Sequence, residues 1–310
     1  MQMPQKKLSV GFLTIFLIFA ATLCGEVARH EISIEDTRLI SYFDLPDHCK
    51  SYPLLIALEG STVQEDGPTS VLRLQKTLRD SYLKEKIGLI MMERRGADEK
   101  RIDVARFHAF NTPSQRLSDH EELVKYLRNN PPKNWNGKLY ILGGSEGGPI
   151  AIKLASRVKP NACIALIGCG DQTFKEYIWN HMLTRVQNKE FEPLFPTRDA
   201  FEEHVKMMKE DPDPTKWWYG QTFRYWADAL DQSEWREALK LECPFLIVAG
   251  SNDIEVSSTD RLVEKLKSNQ KSVTYLRIEG MGHDVLNPQW DVLSKTIDFL
   301  REKNGNRISN

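Results

Sequence analysis

Three residues far apart in the chain, Ser145, Asp253 and His283, are of the types that together activate a hydroxyl and attack a carbonyl carbon. A serine hydroxyl is a poor nucleophile until a base takes its proton, and the base needs an orienting carboxylate. Ser145 lies in Gly143-Gly-Ser-Glu-Gly147. Before it, Leu139-Tyr-Ile-Leu142 is an uninterrupted apolar run, the pattern of a buried parallel strand. After it, Pro149 to Arg157 is compatible with a helix. A serine in G-x-S-x-G between strand and helix sits on a sharp, strained turn. Only very small neighbours let the helix pass the strand there, which gives Gly143 and Gly147 a steric role. The hydroxyl is then presented at a helix start, where N–H groups favour developing negative charge.

The base and its carboxylate must reach the same rim. Strand Phe245-Leu-Ile-Val-Ala249 ends in Gly250-Ser-Asn-Asp253, and strand Ser272 to Ile278 ends in Glu279-Gly-Met-Gly-His283. Serine, then acid, then histidine is the chain order for a nucleophile on such a turn. Asp171, which also follows a strand on that rim, is the rival acid, and Glu255 is a third choice. Asp284, adjacent to His283, is badly placed to reach its ring. An oxyanion needs two N–H donors. One is expected from the backbone of Glu146 and the other from Gly60-Ser61-Thr62, with Ser61 preferred and Thr62 the alternative.

The elements that position these residues alternate. Arg29 to Ile34 and Arg38 to Phe43 predict an edge hairpin, followed by buried strands at Pro53 to Leu58 and Ile87 to Met92 with a helix between them. Ala97 to Arg116 is polar, without clear period, and reads as a loop. Ser118-Asp-His-Glu121 predicts a capped helix start, ended by Pro131-Pro132. The strand leading to Ser145, its helix and strand Ala162 to Ile167 follow. The fold class is therefore α/β, a mostly parallel, doubly wound sheet with reacting groups at the strands' carboxyl ends. Alternation stops from Asp171 to Leu241, a polar, helical and aromatic-rich stretch with no evident strand, and resumes to a last helix near Gln289 to Arg301. Residues 171–241 are thus expected as a helical cap inserted into a core of residues 26–170 and 242–304, with residues 305–310 as a tail. At least half of the cap's aromatics are expected to pack its own core, and the rest to line a pocket.

Among the 310 residues the net charge is −1, and no basic block appears, which argues against a nucleic-acid partner. No G-x-G-x-x-G follows the first strand and the cysteine spacing matches no metal site, so no cofactor is expected. Residues 1–25 run from Lys6-Lys7 through an apolar stretch, Leu8 to Leu23, to small residues and then Glu26. That is the order of a secretory signal peptide; an uncleaved membrane anchor and lipidation at Cys24 are the alternatives. All three place the domain outside the cytoplasm. There, Cys49, Cys163, Cys169 and Cys243 could form two disulfides, although Cys163 and Cys169 read as small buried hydrophobes.

On Gly143-Gly-Ser-Glu-Gly147, Asn252-Asp253 and Gly280-Met-Gly-His283, the chain over about residues 28 to 303 resembles the α/β-hydrolase fold family. It is most similar to the capped branch of proline iminopeptidase-like and esterase- or lipase-like enzymes. Glu93-Arg-Arg-Gly96 is similar to that branch's structural acidic-x-Arg-Gly turn. One departure is Glu59-Gly60, where many members carry His-Gly; Glu59 is expected to pair with Arg94 or Arg95. The resemblance implies a serine hydrolase acting on an ester, thioester or amide of a small molecule or peptide. A proline iminopeptidase-like aminopeptidase is one alternative; it would need acids in the cap, such as Glu176, Glu202, Glu203 or Asp228, to hold an ammonium group. A non-catalytic binding protein on the same fold is the other.

Overall fold

The computed structural model describes residues 28–34, 37–61, 69–99, 101–189 and 192–304. The expected export segment, Cys24, Thr62 and the tail from residue 305 lie outside them. An edge hairpin, β1 (Ala28–Ile34) and β2 (Thr37–Asp44), opens the fold and is followed by β3 (Tyr52–Leu58), α1 (Ser70–Lys84) and β4 (Gly88–Met92). A two-residue ribbon, β5 (Ala97–Asp98) and β6 (Arg101–Ile102), precedes α2 (Val104–Phe110) and α3 (Pro113–Asn129). Next come β7 (Trp135–Gly144), α4 (Gly147–Val158) and β8 (Ala162–Leu166). The insertion contributes α5 (Phe174–Gln187), α6 (Arg198–Glu210), β9 (Trp217–Trp218), β10 (Gln221–Thr222), α7 (Phe223–Ala229) and α8 (Trp235–Ala238). The chain closes with β11 (Phe245–Gly250), α9 (Val256–Ser268), β12 (Val273–Ile278) and α10 (Val292–Asn304).

The main sheet has eight strands in the order β1-β2-β4-β3-β7-β8-β11-β12. Pairings from β4 to β12 are parallel, and β2 meets both β1 and β4 antiparallel. Helices cover both faces, so β3, β4, β8 and β11 are buried at every position and their sequences are continuously apolar. Two apolar clusters fill the two sides of the sheet, and a third lies within the insertion. Ser145, Asp253 and His283 all follow parallel strands, which places them on one rim.

The structure corrects the segment read as a loop between Ala97 and Arg116. Asp103 caps α2 by accepting from the Arg106 N–H at 3.1 Å. Thr112 caps α3 by accepting from the Gln115 N–H at 3.2 Å, and Pro113 takes the first helical turn. Ser118 and Glu121 are therefore inside α3 rather than at its start; an earlier cap with proline behind it won. The last helix is also split. Asp291, at φ 53°, separates a short 3-10 turn, Pro288–Trp290, from α10. The insertion holds the small β9–β10 ribbon that its composition did not signal. All four described cysteines are free thiols, with Cys163 and Cys169 buried.

Candidate active site

The turn carrying Ser145 is strained, as its sequence requires. Ser145 has φ 53°, a left-handed backbone that side chains rarely adopt. A Cβ on Gly143 would lie 2.0 Å from the Gly147 carbonyl oxygen, and one on Gly147 would lie 2.4 Å from that of Leu58. The strand beside it fixes the turn, because the Ser145 N–H donates to the Leu166 carbonyl at 2.9 Å. Gly168, at φ 70°, was not singled out from sequence. A side chain there would come within 2.6 Å of the Ser145 carbonyl. The Gly-Cys-Gly run just after β8 is the signal that could have found it.

Ser145 Oγ lies 2.9 Å from His283 Nε2, and His283 Nδ1 lies 2.8 Å from Asp253 Oδ2. With Nδ1–H donating to the carboxylate, Nε2 is left to accept the serine proton. The loops that carry the two groups are stitched together, since the Asn252 N–H donates to the Met281 carbonyl at 2.9 Å. Asp253 is buried, whereas the His283 side chain is 51 % exposed. Asp171, the rival acid, is held elsewhere. It accepts from Ser258 Oγ at 3.0 Å and pairs with Arg261 and Lys265 at 2.9 Å each.

Packing around the His283 ring opposes its protonation, but the bond to Asp253, that residue's charge and the charge of Glu255 outweigh it, so its pKa is raised. The Glu255 carboxyl group is withdrawn from solvent, although the residue shows some surface. Burial, reinforced by Asp253, pushes it up to about 7. The Tyr177 hydroxyl, from α5, is close enough to favour its charged form, which partly offsets that rise.

The loop after β3 reaches the other side of Ser145. A Cβ on Gly60 would sit 3.1 Å from Ser145 Cβ, tighter than most such contacts, so glycine eases this approach. Ser61 follows it, exposed. Glu59 is buried and pairs with Arg94 Nε at 2.7 Å, one of the two expected partners; Arg95 instead pairs with Asp119 at 2.7 Å. Arg116 was not anticipated. It approaches Glu59 Oε1 at 3.3 Å and Glu146 Oε1 at 2.5 Å. No three-residue grouping able to hold a metal ion occurs among the described residues.

The sheet order, the strained serine turn and the insertion after β8 define an α/β-hydrolase fold. Residues 84–289 match the model of the serine aminopeptidase S33 family, and the chain belongs to that family. Its structure is similar to Est1E from Butyrivibrio proteoclasticus, with 16 % identity, TM-score 0.59 and coverage of 89 % of this chain and 99 % of that one. An esterase from Pyrococcus furiosus has 17 % identity, TM-score 0.61 and coverage of 89 % and 91 %. A puromycin-hydrolyzing peptidase from Mycobacterium tuberculosis has 17 % identity and TM-score 0.59, with coverage of 89 % of this chain and 40 % of that one. At these identities the likeness is one of fold. No curated protein matches the sequence.

Proposed function

We propose that this chain is an exported serine hydrolase that cleaves an ester, thioester or amide through an acyl-enzyme. The observation that carries the reading is the line from Ser145 Oγ through His283 to Asp253, with bonds of 2.9 and 2.8 Å. His283 takes the Ser145 proton as the Oγ–acyl bond forms, then gives it to the leaving group. It activates water in the same way for deacylation. The backbone N–H groups of Glu146 and Ser61 receive the oxyanion. Residues 171–241 act as a cap that governs which acyl groups enter. The basic, apolar, small-residue order of residues 1–25 supports export.

One observation favours an acyl ester or thioester over an N-terminal aminoacyl substrate. Most of the insertion's acids that could hold an ammonium group are already engaged. Glu176 Oε2 accepts from the Thr173 N–H at 2.7 Å, Glu202 pairs with Lys175 at 2.9 Å, and Asp228 Oδ2 accepts from the Ser114 N–H at 2.8 Å. The test sets a panel of chromogenic acyl esters and thioesters beside aminoacyl amides, with fluorophosphonate labelling of wild type and Ser145→Ala. Labelling of wild type only, with ester or thioester turnover, is the expected result. Labelling that persists in Ser145→Ala rejects the nucleophile, and turnover confined to aminoacyl amides rejects the ester preference.

A further inference from the structure

Four charged side chains are packed on the oxyanion side of Ser145 and take no part in the proton relay. Glu59, Arg94 and Arg116 are buried, and the Glu146 side chain is nearly so. Stability is a weak reason for such a cluster. Ions taken out of water recover their hydration only when geometry and further hydrogen bonds are excellent, and apolar replacements of a whole buried pair are often neutral or stabilising. Here Nε of Arg116 has no hydrogen-bond partner among the described residues.

The backbone contacts point to another reason. Arg116 Nη2 donates to the Glu59 carbonyl at 2.8 Å, while its Nη1 holds the Glu146 carboxylate at 2.5 Å. Arg94 Nη2 donates to the Gly60 carbonyl, and its Nε and Nη1 are fixed on Glu59 at 2.7 Å and Asn111 Oδ1 at 3.2 Å. A peptide unit is planar and trans, so its N–H points opposite to its C=O. Holding the Gly60 carbonyl therefore sets the direction of the Ser61 N–H. Holding the Glu59 carbonyl sets that of Gly60. The planar guanidinium of Arg116 ties this loop to the residue after the nucleophile, a two-sided grip that a lysine, with one point charge, does not reproduce.

We propose that Arg94 and Arg116, held by Glu59 and Glu146, are positioning residues that fix the two arms of the oxyanion hole relative to each other. The inference rests on the serine-hydrolase reading above. It also accounts for an acid at position 59. Alone, a carboxylate there would oppose an oxyanion, but two arginines against two acids leave the cluster neutral. Burial pushes the Glu59 carboxyl up, yet Arg116 and Arg94 together bring it below its ordinary value, so it stays charged and keeps its grip on both.

The experiment compares wild type, Arg116→Lys, Arg94→Lys and the double variant Arg116→Met/Glu146→Leu. The double variant removes one charge of each sign, leaves the Glu59–Arg94 pair intact and keeps the fold testable if single variants unfold. Each is measured for kcat, KM, Tm and affinity for a boronic acid that forms a tetrahedral adduct with the serine. Loosening donors that are worth roughly 10² to 10³ when removed outright should lower kcat by about 10- to 100-fold. KM should stay near wild type, boronate affinity should fall in parallel with kcat, and Tm in the double variant should be unchanged or higher. Unchanged kcat in the folded double variant overturns the proposal, as does a loss that merely tracks Tm or appears only in KM. Wild type that no fluorophosphonate labels rejects the parent reading instead, whereas labelled wild type with fully active variants rejects only the positioning role.

Discussion

The two flanks of Ser145 are charged in opposite manners. On the histidine side, Asp253 and Glu255 stand close to His283, and the Tyr177 hydroxyl neighbours Glu255. Negative charge is in surplus there, and both His283 and Glu255 have raised pKa values, that of Glu255 to about 7. On the oxyanion side, Glu59 and Glu146 are matched by Arg94 and Arg116, and Glu59 is held below its ordinary value. One flank suits groups that exchange protons, the other groups that keep their charge. In the proposed mechanism, surplus acid would stabilise the imidazolium formed when the serine gives up its proton. In the same mechanism, a balanced cluster would leave the oxyanion unopposed while holding its donors still.

The contrast breaks most visibly at the relay. His283→Ala should lower kcat by roughly 10⁴-fold or more, about as much as Ser145→Ala, because such residues act as a unit. Asp253→Asn should cost on the order of 10³- to 10⁴-fold by presenting the wrong imidazole tautomer. Asp171→Asn should cost less than about 10-fold, since its carboxylate is bound to Arg261, Lys265 and Ser258 rather than to His283. Steady-state kinetics on the best ester decides it, and an Asp171→Asn loss larger than that of Asp253→Asn would reverse the assignment of the acid.

A second test separates relay from packing. Trp226 is buried in the insertion's own cluster and its indole N–H donates to the Trp218 carbonyl at 2.6 Å. Trp226→Ala should destabilise the protein by roughly 3 to 5 kcal/mol and depress all substrates alike. Trp217, 55 % exposed and edge-on to His108, should give no measurable change in Tm when truncated. Thermal melts of both variants check this, and equal losses would show that Trp217 packs as tightly as Trp226.

What was legible in the sequence follows the same divide. Continuous apolar runs such as Leu54 to Leu58 and Leu246 to Ala249 are written by burial on both faces, so the parallel strands and their rim could be read directly. Ser145 declared itself through its glycines. Gly143 and Gly147 mark places where no Cβ fits, a steric demand that leaves a local trace. Arg116 left none. It lies on α3, its partners are residues 59 and 146, and nothing short-range links the three. The same blindness misplaced the start of α3, because Ser118-Asp-His-Glu121 satisfies the capping pattern as well as Thr112-Pro113 does. The insertion's aromatics could be noticed but not sorted. Whether a tryptophan packs a cluster, as Trp226 does, or stands in solvent, as Trp217 does, depends on contacts between separate helices.

Glu255→Gln sharpens the comparison without destroying the relay. Activity requires neutral His283, so it should be lost as pH falls through a midpoint above the ordinary 6.5 of histidine, because its pKa is raised. Removing the Glu255 charge takes away part of that rise, and the acid limb should move to lower pH. The same variant has a stability signature. A buried carboxyl with its pKa raised to about 7 contributes stability below its unfolded value of 4.5 and loses it as pH rises through 7. Glu255→Gln should therefore gain Tm relative to wild type at pH 8 and not at pH 4. A pH–rate profile that does not move would remove Glu255 from the relay.

Tyr177→Phe carries the smallest effect and links the insertion to the relay. Its hydroxyl neighbours the Glu255 carboxyl group and favours the charged form of the acid. Without it, the pKa of Glu255 rises further, less negative charge faces His283 at neutral pH, and the histidine's own pKa falls. The acid limb should shift in the same direction as in Glu255→Gln but by less, and the two changes should not add in the double variant, because the hydroxyl acts only through the carboxylate. Ring packing is preserved by phenylalanine, so Tm at pH 5, where Glu255 is largely protonated in both proteins, should match wild type. Profiles of kcat/KM from pH 5 to 9 for the two single variants and the double variant read this out. A shift in Tyr177→Phe that persists in full on the Glu255→Gln background would show that the hydroxyl reaches the relay by another route.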